Sequence, residues 1–131
     1  MIIDEAIVGY SETIVVRNKT SLTTGYVASA TLLEIGNINQ VTLITDFTIG
    51  SSSGVRIKME LSSDGTTWIM PTRTEQSGDD LLHKERTDLL DETGVKALSF
   101  PVAYPYARIS AIALNDASNA SLGIDAMLSF V

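Results

Sequence analysis

The residues with the greatest potential for chemistry are a single histidine and several carboxylates. His83 is the only histidine among 131 residues, and the chain has no cysteine. One imidazole without thiolates does not build a multi-ligand zinc site, and a thiol nucleophile is excluded. His83 lies in a charged run, His83-Lys84-Glu85-Arg86, which is typical of a solvated strand or loop. Serines and aspartates are plentiful, but no Gly-x-Ser-x-Gly motif favours a catalytic triad. The sequence therefore predicts a protein that is not an enzyme.

Carboxylates gather in two places where they could supply oxygen ligands for calcium. One is the pair Asp79-Asp80, and the other combines Asp88 with Asp91 and Glu92. Their spacing does not match an EF-hand loop, and acidic residues in turns commonly serve as solvated or capping groups. No phosphate-cradling glycine motif is present. We predict no metal or other cofactor, with a structural calcium as the alternative.

Charge and hydropathy exclude further classes. The formal charge of −7 disfavours binding to nucleic acid through phosphates, and favours either solubility or a partner that carries basic patches. No apolar run approaches the roughly 18 residues needed for a membrane span. The N-terminal residues MIIDEAIVGYSE lack the basic region of a secretory signal. A hydrophobic fraction of 44% is ordinary for a folded protein, so residues 1–131 are expected to form one domain.

The stretch from Gly54 to Pro71 positions the other elements. Its apolar and polar residues alternate with a period of two from Val55 to Leu61, which predicts a strand with one buried face. Asp64 and Gly65 then predict a tight turn, because this pair tolerates positive φ. Trp68 begins a return strand, where it is expected to pack in the core or at the sheet end. We interpret Asp64, Gly65 and Trp68 as structural residues of this turn.

The rest of the chain predicts an all-β fold. Long strands are expected over 40–49 and 121–131, while Asp88 to Glu92 favours one helical turn. Turn signals at regular spacing divide the chain into about eight strands, a number typical of an antiparallel two-layer β-sandwich of the jelly-roll type.

Two regions are candidate interaction sites. Residues 1–12 are predicted to form an N-terminal arm, with Ile2, Ile3 and Ile7 as its contact residues; the alternative is that they pair in the sheet. Tyr104 and Tyr106 flank Pro105 at a predicted corner and are the second candidate.

Three segments resemble small β-sandwich virion proteins of tailed bacteriophages. They are Glu60–Trp68 with its S-x-DG-xx-W turn, Tyr106–Ser110 with its aromatic-x-R-[IV] pattern, and the ending Ser121–Ala126. The resemblance covers roughly residue 40 to the C-terminus. It implies a capsid decoration (cement) protein, commonly a homotrimer, that binds the major capsid protein on the outer surface of the virion. A tail or neck accessory protein is the structural alternative.

The same turn is similar to that of discoidin-like galactose-binding sandwiches. Those domains also carry an A-R-Y-[IV]-R strand late in the chain, where this sequence has Ala107-Arg108-Ile109 without the second arginine. The chain also lacks their early tryptophan-bearing strand. This resemblance implies a carbohydrate-binding module as the alternative from a different functional class.

Overall fold

The computed structural model describes residues 9–29, 33–36, 38, 40–102 and 104–130. These residues form β-structure without a helix, and no helix that could cross a membrane occurs among them. The strands are β1 (Gly9–Ser21), β2 (Val27–Ala28), β3 (Leu33–Glu34), β4 (Gln40–Thr48), β5 (Val55–Ser62), β6 (Thr72–Ser77), β7 (Asp80–Glu85), β8 (Asp88–Leu90), β9 (Gly94–Pro101), β10 (Tyr106–Ala113) and β11 (Ser121–Phe130). The predicted all-β class is confirmed.

Two antiparallel sheets form the sandwich. The first has the order β1-β11-β4-β9, and the second has β2-β10-β5-β8 with β3 also paired to β10. If β2 and β3 are taken as one interrupted strand, this is the eight-strand order of a jelly roll, as predicted. The structure has eleven strands because one jelly-roll strand is interrupted and because β6 and β7 form a separate two-stranded sheet.

The core lies between the two sheets and follows from the alternation in their central strands. Val41, Leu43 and Phe47 of β4 are completely buried, as are Val55 and Ile57 of β5. Thr45, also completely buried, donates its hydroxyl hydrogen bond to the carbonyl of Lys96 at 3.1 Å. Because its hydroxyl is satisfied, a polar residue is tolerated in this row of apolar side chains.

The predicted helical turn from Asp88 to Glu92 is wrong. Residues Asp88–Leu90 form β8, in which Leu90 pairs with Val55 and is buried. Burial of Leu90 against the core outweighs a weak local preference for helix, since one helical turn alone does not stabilise itself.

The return strand after the Asp64 turn is shorter than predicted. Ile69 makes a single antiparallel bridge to Leu61, and β8 pairs farther along the same edge of β5. Between these contacts the chain leaves the sheet, forms the β6–β7 hairpin and returns. We call residues 72–85 the projecting hairpin, because all twelve residues of its two strands are exposed.

Candidate interaction surfaces

The turn that follows β5 is held together by one carboxylate. Asp64 Oδ1 accepts the amides of Thr66 at 2.9 Å and Thr67 at 2.8 Å, and the hydroxyl of Ser62 donates to it at 2.9 Å. Gly65 has φ +81°, a conformation that favours glycine. The amide hydrogen bonds, that of Thr67 first, hold the pKa of Asp64 well below its usual range. This carboxylate is therefore committed to the turn itself.

Trp68 lies on the outer face of the five-stranded sheet and packs against an ion pair. The guanidinium carbon of Arg108 lies 4.4 Å from the centroid of the indole ring. Arg108 also donates two hydrogen bonds to Glu60, Nε to Oε1 at 3.1 Å and Nη2 to Oε2 at 3.2 Å. The two residues are direct cross-strand partners on β10 and β5, so the register of the sheet fixes this geometry. Trp68 is only partly buried, and it covers a charged pair rather than entering the core.

More cations follow along the same face. Lys58 Nζ lies 4.3 Å from the ring centroid of Tyr26, which precedes β2. Arg56 shares the face of β5 with Lys58 and Glu60, is exposed, and has no ion pair among the described residues. We call Tyr26, Arg56, Lys58, Glu60, Trp68 and Arg108 the cationic strip. Glu34, opposite Tyr106, is a second carboxylate at one end of the sheet. Even so, this face of the sheet carries three cations and only two carboxylates, Glu34 and Glu60, in a chain of net charge −7.

The predicted contact residues fall in different places. Tyr104 is half-buried and packs against the hydrophobic core. Tyr106 is also half-buried, and its ring lies over Gly65 at the Asp64 turn. Ile2, Ile3 and Ile7 lie outside the described residues. The structure thus brings Tyr106 together with Asp64, Gly65 and Trp68 at one end of the sheet, and packs half-buried Tyr104 against the core.

The projecting hairpin has a tight turn at its tip and a cluster of ion pairs near its base. Gly78 takes φ +61° at the first central position of the turn between Ser77 and Asp80, where a II′ turn requires glycine. Near the base, Arg73 and Lys84 both pair with Glu75, at 3.2 and 3.3 Å. Lys84, and to a smaller extent Arg73, lower the pKa of Glu75.

Two carboxylates lie at the tip of the projecting hairpin. Asp79 and Asp80 have no ion pair within the part of the chain that the structure describes. The hairpin is therefore anionic at its tip and relatively cationic near its base.

Arg86 anchors the base of the hairpin to both sheets. Its amide donates to the carbonyl of Pro71 at 2.9 Å, which closes the hairpin. Its guanidinium lies 4.1 Å from the ring centroid of Phe100 on β9 and pairs with Asp88 on β8 at 3.4 Å. The sequence run that contains His83 and Arg86 gave no sign of this role, because Phe100 is distant along the chain.

The candidate chemical residues remain scattered. His83 is exposed on β7, and Glu92 pairs with Lys96 at 2.7 Å. Among the residues described, no group of three or more histidines, cysteines or carboxylates is placed to hold a metal ion.

The fold has a solved counterpart. The chain is similar to the SPBc2 prophage-derived protein YomS, with a TM-score of 0.60 and 12% sequence identity over 98% of each chain. A comparison with protein-family models finds no match, and neither does a comparison with curated protein sequences. The structural likeness extends over the whole sandwich, and at this identity it is a likeness of fold.

Proposed function

We propose that this chain is a non-enzymatic structural protein of a tailed-phage particle, and specifically a capsid decoration protein on the outer surface of the head. The observation that carries the proposal is the likeness in fold, over 98% of both chains, to a prophage-derived protein. The sequence resemblance to virion sandwiches in the Asp64 turn and the last two strands points in the same direction. The partner on this proposal is the major capsid protein.

The cationic strip is the surface best suited to the shell. It lies on a sheet whose register is fixed by cross-strand pairs, and Glu60 holds the guanidinium of Arg108 in place before binding. Arg56 is exposed and has no ion pair among the described residues, which leaves it available to a carboxylate of the partner. Contacts of this kind are weak singly but accumulate on a lattice, because each engaged subunit raises the effective concentration for the next contact.

Binding to heads tests the proposal directly. Purified protein is mixed with expanded heads of the phage or prophage that encodes it, and bound protein is measured by co-sedimentation. We expect saturable binding and a higher temperature of head disruption. Absence of binding to heads at any protein concentration would overturn the assignment to the head.

A matched pair of variants tests the surface. Arg56→Glu reverses a charge in the cationic strip, whereas Lys19→Glu makes the same change on β1 of the other sheet. Lys19 is exposed and pairs with Asp46 at 3.2 Å. We expect binding to weaken about tenfold with Arg56→Glu and to change little with Lys19→Glu. The reverse pattern would move the contact to the four-stranded sheet.

The two alternatives have distinct signatures. A tail or neck accessory protein would appear at those positions when particles are imaged by electron microscopy. A carbohydrate-binding module would give saturable binding on a glycan array. The ring of Trp68 has Arg108 against one of its two faces, so a sugar could stack only on the other face.

A further inference from the structure

The projecting hairpin has exposed edges that the sandwich does not cover. A two-stranded hairpin alone is marginally stable in water, and a third strand or a packed face normally supports it. Here β6 pairs only with β7 among the described strands, and every residue of both strands is exposed. Leu81 and Leu82 are the largest apolar side chains on it, with 58% and 41% of their surface accessible. Both lie on β7.

The main chain of β7 is suited to accept another strand. A two-residue turn bonds its first and fourth residues, here Ser77 and Asp80. Since hydrogen-bonded and non-hydrogen-bonded pairs alternate along an antiparallel ladder, the amides and carbonyls of Leu81 and His83 then point away from β6. These are the groups through which an added strand would bind.

The side chains of β7 are complementary to those of a second β7 running in the opposite direction. Leu82 lies midway between Asp80 and Lys84, two residues from each. All three share one face of the hairpin, because side chains alternate along a strand. A two-fold axis at Leu82 places Leu82 opposite its own copy, and Asp80 of each chain opposite Lys84 of the other. Leu81 then lies opposite His83, and their outward main-chain groups form the intermolecular hydrogen bonds.

We propose that β7 pairs with β7 of a second copy of this chain, antiparallel and centred on Leu82. The product is a four-stranded sheet in the order β6-β7-β7-β6, which supplies the support that one hairpin lacks. The contact is two-fold, so it joins chains in pairs, unlike the trimer that the virion resemblance implies. It concerns the free protein and does not depend on which surface binds a shell.

Other pairings are less well matched. A two-fold axis at His83 would place Leu82 opposite Lys84 and Leu81 opposite Glu85. Pairing through β6, centred on Thr74, would place Arg73 opposite Glu75, but β6 has no apolar side chain to occupy the centre of the contact. The axis at Leu82 combines an apolar centre with a lysine opposite the tip carboxylate Asp80, which lacks an ion pair among the described residues.

Charge reversal within the proposed pair provides the test. Sedimentation equilibrium of the wild type should show concentration-dependent association from 14.1 kDa to twice that mass. Asp80→Lys brings a lysine against Lys84 of the second copy, and Lys84→Asp brings an aspartate against Asp80. Each change turns two attractions into repulsions, so we expect each to weaken dimerisation about tenfold or more. The double variant Asp80→Lys/Lys84→Asp should dimerise again.

A mixture of the two single variants gives the sharpest readout. In a mixed dimer both cross-chain pairs are oppositely charged, so Asp80→Lys and Lys84→Asp should associate with each other but not with themselves. Native mass spectrometry distinguishes the mixed dimer from the two parents. Glu92→Lys, which makes the same charge change in the loop before β9, is the control and should dimerise as the wild type does.

Four results would overturn the proposal. One is a wild type that stays monomeric up to the highest soluble concentration. The second is a dimer or trimer that neither single variant weakens, which would place the interface elsewhere. The third is a mixture of single variants that does not associate although circular dichroism shows both to be folded. The fourth is a monomeric wild type whose binding to heads is lost with Asp80→Lys, because the hairpin edge would then serve a shell protein.

Discussion

The cationic strip and the projecting hairpin are both charged β-surfaces, but they are stabilised in different ways. In the strip, Arg108 is held between Glu60 and Trp68, and the opposite face of the sheet packs on the hydrophobic core. In the hairpin, Arg73 and Lys84 share one carboxylate, and no strand residue is buried. The strip therefore contains an arginine that is held in place, whereas the hairpin offers free main-chain edges. Substitutions should distinguish the two regions.

The largest difference is expected between leucines. Leu43 is completely buried on β4, so Leu43→Ala should lower the free energy of unfolding by about 2–5 kcal/mol, because the cavity adds to the lost burial. Leu82→Ala, measured by urea denaturation at concentrations where the chain is monomeric, should change it by less than about 0.5 kcal/mol. Similar losses at both positions would show that the hairpin packs on the sandwich.

Two glycines sharpen the same contrast. Gly54 precedes β5 with φ +146°, and a Cβ there would lie 2.6 Å from the carbonyl oxygen of Leu90. Gly78 in the hairpin turn also has positive φ, but no described residue other than its chain neighbours lies within 4 Å of its Cβ position. We expect Gly54→Ala to cost about 2–4 kcal/mol and Gly78→Ala about 1 kcal/mol. Thermal unfolding followed by circular dichroism measures both costs. Equal costs would mean that the positive φ alone, and not the close contact with Leu90, determines the loss of stability.

The ion pair beneath Trp68 should have an intermediate effect. Arg108→Ala leaves Glu60, whose side chain is only 14% exposed, without its bidentate partner. We expect a loss of about 1–2 kcal/mol, between the values of exposed and buried pairs. Trp68 is the only tryptophan, so its fluorescence should report the lost contact as a shift of the emission maximum. An unchanged spectrum would contradict the stacking, and Arg56→Ala serves as the control on the same face.

Asp64→Asn should destabilise the turn modestly at neutral pH, because the amide oxygen still accepts hydrogen bonds but lacks the charge that strengthens them. The pKa of Asp64 is lowered in the folded chain relative to its ordinary value of 3.8. Its contribution to stability is therefore complete above that value and is lost as the pH falls below it, since the unfolded chain takes up the proton first. The stability difference between wild type and Asp64→Asn should narrow from pH 5 to pH 2 in urea titrations. A constant difference would contradict the lowered pKa.

Much of the sandwich was predictable from the sequence, because alternation in β4, β5 and β11 reports burial of one face. The Asp64 turn was also predictable, since an Asp-Gly pair between two strands is typical of a tight turn. The β6–β7 hairpin was not foreseen as a separate sheet. Thr72 to Ser77 contains no apolar residue, so hydrophobic periodicity carries no information there.

Side-chain contacts between residues distant in the sequence were the second feature that could not be predicted. The partners of Arg108 and Arg86 are set by strand register and sheet packing, and Glu60 lies 48 residues from Arg108 along the chain. Tyr104, one of the two candidate contact residues at the Pro105 corner, is half-buried and packs on the core, which the local sequence did not indicate. Asp88–Leu90 was misread for a similar reason, because a strand of three residues is too short to show its period.

The site where the projecting hairpin is inserted has a practical consequence. The chain leaves the edge of β5 after Ile69 and rejoins it at Asp88, and Arg86 clamps the exit to Phe100 and Asp88. A foreign peptide grafted between Gly78 and Asp79 would thus be carried away from the sandwich without crossing its core. On a repeating shell, such a graft would present many regularly spaced copies of an epitope to an antibody.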